Sequence, residues 1–305
     1  MKTIGIVGGT GLIGSYLVKV LQDKGYAIVI LSRNASKFHS KKNLTYVPFD
    51  PVKKICDGAA LKKIDAVVHL SGAAILDKRW TKNRREEIQH ARIESINFTI
   101  AQLKAFAPNC KIFLGTSSIG YYGPDAEGKT PFKENSPVFD DWVGNVVKNW
   151  EQAIRHAAPK MRTLILRHGA IFAKEDGAFQ QFVRLMDLEI MPILGYSNQL
   201  ISWIEASDLA RMILFVLENC KDDEIINAVS PLPVAQKELA RVVSSIRGGI
   251  RTPAQVPSNL IKIHLGEMAT EVLKSCHASA DKIMKLGFRY NYPDINGAVN
   301  AIFNK

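Results

Sequence analysis

Ile4-Gly5-Ile6-Val7-Gly8-Gly9-Thr10-Gly11-Leu12-Ile13-Gly14 is the stretch whose reading decides the fold. An apolar run breaks into glycines, then resumes with Ile13, Leu17 and Val20 at helical spacing, which reads as strand, tight turn and helix start. Gly8, Gly11 and Gly14 stand three apart. The turn needs a residue that tolerates positive φ. A phosphate must come nearer the backbone than a Cβ permits, and the helix start offers N–H groups and the positive end of a dipole. The third glycine allows close packing of the helix. Gly8, Thr10, Gly11, Leu12, Ile13 and Gly14 are therefore expected to cradle a dinucleotide pyrophosphate; the alternative is a glycine-rich turn without a ligand. The spacing G-x-x-G-x-x-G differs from the G-x-G-x-x-G of two-domain dehydrogenases.

Outward from this turn, strands are predicted over 26–31, 44–49, 65–70, 111–115 and 162–166, alternating with helices, the longest over 83–106. Asp140 or Asp141 is expected to cap a helix running to about 157. Six strands alternating with helices predict an α/β fold with a doubly wound parallel sheet of the Rossmann type. After 168 the rhythm shortens: helices near 179–186 and 208–218, strands near 200–204 and 224–227. From 231 the chain reads mostly helical, over 234–246, 258–265, 278–286 and 294–302. The expected organisation is a cofactor domain at 1–168, to which some later segments return. A smaller, partly interleaved α+β substrate lobe at 169–305 follows, with its mostly helical part at 231–305.

The second predicted strand ends in Ser32-Arg33-Asn34, 18 residues after Gly14. An acidic residue there would bind the adenosine ribose and favour NAD, whereas arginine accommodates the 2′-phosphate of NADP. Ser32 and Arg33 point to NADP(H); otherwise Arg33 is a solvated turn residue. Asp50, before Pro51, could reach the adenine amino group or simply start a turn. Leu70, Ser71, Gly72 and Ala73 follow the fourth strand on the edge where ligands bind in such sheets. His69, inside that apolar strand, reads as a core histidine.

The 305 residues carry a formal charge of +11 with 47% hydrophobic residues. Scattered lysine pairs without an aromatic-interleaved RNA motif speak against nucleic acid, and the charge reads as a solvated basic surface or as attraction to phosphates. No apolar run is long enough for a membrane span, and the start of the chain runs directly into a strand, with no signal peptide evident. Cys56, Cys110, Cys220 and Cys276 lack C-x-x-C pairing, so a metal site is not expected and reduced thiols in the cytoplasm are. The expected partner is a small-molecule substrate, and a homodimer is compatible with the sequence.

With Gly8–Gly14, His69-Leu70-Ser71-Gly72-Ala73 and Ser117-Ser118-Ile119-Gly120-Tyr121-Tyr122-Gly123 in hand, the chain resembles the extended short-chain dehydrogenase/reductases. More closely, it is similar to their atypical "epimerase family" branch. Asp77-Lys78-Arg79-Trp80-Thr81, Ala91-Arg92-Ile93-Glu94-Ser95, Ser202-Trp203-Ile204, Pro231-Leu232-Pro233-Val234, Gly266-Glu267-Met268-Ala269 and Gly287-Phe288 carry that likeness over almost the whole length. The resemblance implies a Rossmann fold, NADP(H) and a C-terminal helical region peculiar to the branch. It also implies a serine that holds the substrate oxygen, a tyrosine that moves the proton, and a lysine four residues later. Ser118 matches the serine. The Tyr-x-x-x-Lys pair is replaced by Val143 and Val147, so Tyr122, four residues after Ser118, becomes the candidate acid, with packing as its alternative. The activity implied is oxidation or reduction of a small or nucleotide-linked carbonyl or alcohol. The alternatives are nucleotide-sugar epimerisation or dehydration, and a cofactor-binding sensor without turnover.

Trp80 and Arg92 are candidates to line a pocket for an anionic group, against a solvated basic face with Trp80 packed. Trp203 is a further candidate substrate contact, against packing between the lobes.

Overall fold

The computed structural model describes residues 1–72, 75, 78–125, 130–186, 190–195, 197–248 and 252–304. Its first part runs β1 (Thr3–Val7), α1 (Leu12–Asp23), β2 (Ala27–Ser32), β3 (Leu44–Asp50), β4 (Ile55–Cys56), α2 (Gly58–Leu61), β5 (Ala66–His69), α3 (Lys82–Phe106), β6 (Ile112–Ser118), α4 (Trp142–Arg155) and β7 (Arg162–His168). Then follow β8 (Ala170–Phe172), α5 (Ala178–Met186), β9 (Ile190–Leu194), β10 (Leu200–Ile201), β11 (Trp203–Glu205), α6 (Ala206–Asn219) and β12 (Glu224–Ala228). The chain ends with β13 (Val234–Ala235), α7 (Gln236–Arg247), β14 (Thr252–Val256), α8 (Ser258–Leu265), α9 (Ala269–Leu273), α10 (Asp281–Lys285) and α11 (Ile295–Asn304).

The main sheet has eight strands in the order β12-β7-β6-β5-β1-β2-β3-β4. All neighbours pair in parallel except the two-residue edge strand β4, which is antiparallel. From β1 the chain winds outward through β2 and β3, then returns to build β5, β6 and β7 on the other side. The crevice at which the order reverses lies beyond the carboxyl ends of β1 and β5, where open α/β sheets bind ligands. Val7 pairs with His69 across that boundary and with Leu31 on the other side. The predicted doubly wound parallel sheet is the observed one.

Both faces of the sheet are covered, which is why its strands read as near-continuous apolar runs. Ile4, Ile6, Ile28, Ile30, Val68 and Leu164 face α1 and α6, whose Leu17, Leu21, Leu209 and Ile213 fill the layer. Val67, Phe113 and Ile165 face α3 and α4, which supply Ile96, Ile100, Val147, Trp150 and Ile154. Each fully buried leucine or isoleucine contributes roughly 1.5–3 kcal/mol to such a layer. Thr81 caps α3 by accepting from the Arg84 N–H at 3.2 Å, and Asp141, not Asp140, caps α4 by accepting from the Gly144 N–H at 2.7 Å. Phe172, Phe179, Trp203, Val243 and Val299 form a separate core beneath the later helices.

Several short elements, among them β8, β9, β13 and α9, have no counterpart in the sequence reading, and two further stretches differ for a visible reason. β14 pairs in parallel with β9; a five-residue segment interrupted by Pro253 carries no strand periodicity. The helix expected over 278–286 shrinks to α10, because Cys276 and Ala278 are extended and bridge Ile201 and Phe132. All four cysteines are free thiols. Among the described residues no helix is long and apolar enough to cross a membrane.

Candidate functional site

At the end of β1, Gly8 has φ +84° and its carbonyl accepts from the Gly11 N–H at 3.1 Å. A Cβ on Gly8 would stand 3.0 Å from Ser71 N and 3.1 Å from Leu70 C, so the turn lies directly against the chain leaving β5. A Cβ on Gly14 would stand 2.5 Å from both the carbonyl carbon and oxygen of Gly9. Gly11 sits at the N-cap of α1 with an extended backbone and no side-chain cap. Thr10 and Gly11 are exposed, Leu12 and Ile13 half-buried. The result is a backbone concavity at an uncapped helix start, which suits an anion.

Around this turn the sheet brings together the other candidates. Arg33 is exposed just beyond β2, and Ser32 Oγ accepts from the Asn34 N–H at 3.2 Å. Asp50 Oδ1 accepts from the N–H groups of Val52 and Lys53, so this carboxylate builds the turn after β3. Leu70 N–H donates to Val7 O at 2.9 Å, which ties the start of the β5 loop to the glycine turn. Gly72 is exposed there, and Ala73 lies outside the described residues.

Side chains alternate along β6, and the two serines at its end separate. Ser118 Oγ accepts from the Gly120 N–H at 3.1 Å, with His168 of β7 as its register partner. Ser117 Oγ instead donates to Glu151 Oε1 at 2.7 Å in the interior. Arg167 grips the same carboxylate as a fork, Nε to Oε1 at 2.7 Å and Nη2 to Oε2 at 2.8 Å. Its Nη1 donates to the Tyr122 hydroxyl at 2.9 Å and to Glu134 O at 3.1 Å. The hydrogen-bonded Glu151 carboxylate holds the Arg167 guanidinium charged, its pKa raised despite burial.

This network corrects the expectation for Tyr122. Its hydroxyl donates to Asn227 Oδ1 at 2.6 Å, its ring stacks on Phe132, and only 2% of it is exposed. Burial pushes the phenol up to about 12. A phenol so enclosed fastens β12 to the loop after β6 and is not placed to exchange a proton with a ligand. Trp203 is corrected in the same way. It is fully buried, stacked on Phe172, and donates its indole N–H to Leu232 O at 2.9 Å, so no surface of it faces a substrate.

Arg92 reaches from α3 to the chain that leaves β5. Its guanidinium lies 3.5 Å from the Trp150 ring centre, and its Cζ would stand 2.8 Å from a Cβ on Gly72. Burial, then Arg84, push its pKa down to about 9. Burial, and secondarily the Arg92 charge, push His69 down to about 3. His69 Nε2 shares a hydrogen bond with Ser95 Oγ at 3.0 Å. His168 is also pushed down, mainly by burial, and its Nδ1 donates to Gly169 O at 3.0 Å. Both imidazoles are therefore neutral near pH 7, and neither is a ready acid.

Trp80 stands apart from Arg92. It packs on Trp142 with Arg85 over both rings, donates its indole N–H to Ile75 O, and borders an open cavity of about 380 Å³. Across that cavity Arg85 pairs with Glu267, which joins α3 to the C-terminal segment.

The sequence reading missed the residues that this segment brings in. Glu271 and Lys274, joined at 2.7 Å with side chains only 11% exposed, sit beside the loop after β6. An i,i+3 acid–base pair is ordinary on a helix surface, so no local signal marks it. Arg167 and Asn227 were equally silent, as polar residues near the ends of apolar strands, and Glu151 is one of several polar residues on α4.

Residues 4–228 match the model of the NAD dependent epimerase/dehydratase family, and residues 256–302 match a domain of unknown function, DUF1731. An epimerase family protein of Staphylococcus aureus is 30% identical, with 100% of both chains covered. The epimerase family protein YfhF of Bacillus subtilis is 29% identical over 98% of this chain and 97% of its own. Among solved structures, a human epimerase family protein crystallised with NADPH superposes with a TM-score of 0.86 at 23% identity, covering 99% of each chain. The UDP-glucuronic acid 4-epimerase of Bacillus cereus, solved with UDP-glucuronic acid and NAD, gives 0.80 at 17% identity, covering 99% of this chain and 98% of its own. At these identities the structures show a shared fold.

Proposed function

The chain belongs to the NAD dependent epimerase/dehydratase family, and on that premise we propose that it binds NADP(H) and interconverts a carbonyl and an alcohol on a small or nucleotide-linked molecule. The observation that carries this is the cradle at Gly8–Gly14, where an uncapped helix start meets a turn that side chains would fill. The amides of Thr10 to Gly14 would hold the pyrophosphate. Ser32 and Arg33 would hold the adenosine phosphate, and the Leu70–Gly72 chain would line the dinucleotide's path across the crevice. The human relative solved with NADPH supports the phosphorylated cofactor. A nicotinamide, when bound, supplies or takes up hydride at carbon.

This chain's own residues position the oxygen. Ser118 Oγ, fixed by the Gly120 N–H, keeps its hydrogen to donate to a substrate carbonyl. Arg92 places a half-buried cation beside the chain leaving β5, suited to an anionic substrate group. In this reading residues 1–168, with α6 and β12 returned to them, carry the cofactor, and the rest of 169–305 shapes the substrate pocket.

The test is equilibrium binding of NADPH and NADH by fluorescence, to the wild type and to Arg33→Ala. Loss of a charge-assisted contact of about 1.5–3 kcal/mol should weaken NADPH roughly 10- to 100-fold and leave NADH almost unchanged. A wild type that prefers NADH, or equal losses for both, refutes the cofactor assignment. A second reading, a cofactor-binding sensor without turnover, is favoured by Val143 and Val147. Both are buried in the α4 layer, and neither side chain can take up or release a proton.

A further inference from the structure

Val143 stands where the resemblance calls for the proton-transferring tyrosine. Its Cγ1 lies 2.8 Å from the point at which a Cβ on Gly120 would stand. Two polar atoms surround the same point, Ser118 Oγ at 3.4 Å and Glu271 Oε2 at 3.8 Å. β6, α4 and α9 thus deliver a hydroxyl, a valine and a carboxyl to one place. Lys274 Nζ donates to the other carboxyl oxygen, Oε1, at 2.7 Å. The remainder of the segment is clamped over the site, through Arg85 with Glu267 and through Arg79 against Gly266.

We propose that Glu271 is the catalytic acid–base of this protein, with Lys274 holding its conjugate base and Ser118 orienting the reacting oxygen. This rests on the oxidoreductase reading above and supplies the proton that Val143 cannot. In the reducing direction the Oε2–H bond breaks and an O–H bond forms on the substrate oxygen. The electron pair for that bond comes from the C=O π bond as hydride reaches carbon, and the carboxylate left behind is neutralised by Lys274. Oxidation runs the same transfers in reverse.

A carboxyl can take over from a phenol if its pKa is moved up towards working pH, just as the phenol's must be moved down. Burial raises Glu271 above the ordinary range, Lys274 opposes this, and Asp141 at the start of α4 adds to it. Cys276, which carries no charge here because burial pushes its thiol up to about 12, is a further titratable group close by. The oxygen that accepts the proton must lie between Ser118 and Glu271. That favours a compact carbonyl or secondary alcohol, with any bulky or charged part directed towards Arg92.

The experiment follows the Glu271 carboxyl carbon by NMR in protein labelled at glutamate Cδ, assigned by its loss in Glu271→Gln. Its titration is compared in the NADPH and NADP⁺ complexes. The expected midpoint lies above the ordinary glutamate range, rises further in Lys274→Met, and falls when neutral NADPH is exchanged for NADP⁺ with its positive nicotinamide. Glu271→Gln should keep NADPH affinity and thermal stability, while NADPH-dependent reduction of 4-nitrobenzaldehyde falls about 10²- to 10⁴-fold. Glu271→Asp should restore part of the rate with a displaced pH limb. An ordinary midpoint, a midpoint indifferent to the cofactor's oxidation state, or an unchanged pH profile in Glu271→Gln overturns the proposal. Failure of the wild type to bind NADPH overturns instead the functional reading beneath it.

Discussion

Glu151→Ala should be among the most destabilising single changes in this chain. The carboxylate is 4% exposed and receives three hydrogen bonds of 2.7–2.8 Å, two from Arg167 and one from Ser117. Its removal leaves a guanidinium, itself 2% exposed, with two donors facing a cavity. Taking one partner from a buried pair costs about 3–5 kcal/mol, because the surviving charge is uncompensated. At roughly 2–4 °C per kcal/mol for large domains, the melting temperature should fall by about 6–20 °C. Replacing both partners, as Glu151→Leu with Arg167→Met, removes both charges and should recover most of that loss. The assay is urea denaturation followed by tryptophan fluorescence, with Trp150 adjacent in α4 as reporter, on the wild type, both single variants and the double. A single-variant loss below about 1 kcal/mol, or a double variant no better than the worse single, refutes the account of this network as a coupled buried pair.

Two further outcomes are expected. Gly14→Ala sets a methyl against the carbonyl of Gly9, a backbone group that cannot swing aside. It should cost at least about 1–3 kcal/mol and abolish the thermal shift caused by NADPH; a wild-type shift would show that the glycine is not needed. The pH series concerns His69, held at about 3 by burial. Between about pH 6.5 and 3 the unfolded chain binds a proton that the folded chain excludes. Stability is therefore complete above that window and declines as pH falls through it, by up to about 1.4 kcal/mol per unit for each such group. His168 is shifted the same way. His69→Gln should flatten the decline measured by urea unfolding between about pH 7 and 5, and an unaltered slope would contradict the burial argument.

The sheet was readable because its signals are local. Apolar runs of four to seven residues, punctuated by glycine, proline and caps, report strand and helix without reference to partners. The glycine turn was readable for the same reason: its three glycines fall within seven consecutive residues, and the positive φ of Gly8 and the approach of Gly14 to Gly9 are local. β14 and the shortened α10 were not readable, because pairing with distant strands decides them.

The catalytic half divides along the same line. Proximity to Ser118 in sequence suggested Tyr122, yet its hydroxyl is claimed by Asn227, 105 residues away. Trp203 has the residue type of a ligand contact, and only the aromatic core around Phe172 shows it to be packed. From sequence alone came the parallel sheet, the glycine turn proposed to hold phosphate and the absence of the customary tyrosine and lysine. Tertiary structure alone brings together the residues proposed to act in their place. Glu271 follows Ser118 by 153 positions, and only the fold of the C-terminal segment over the β6 loop brings its carboxyl there. Short-range periodicity carries secondary structure, whereas a buried acid takes its chemistry from neighbours that the chain's order does not reveal.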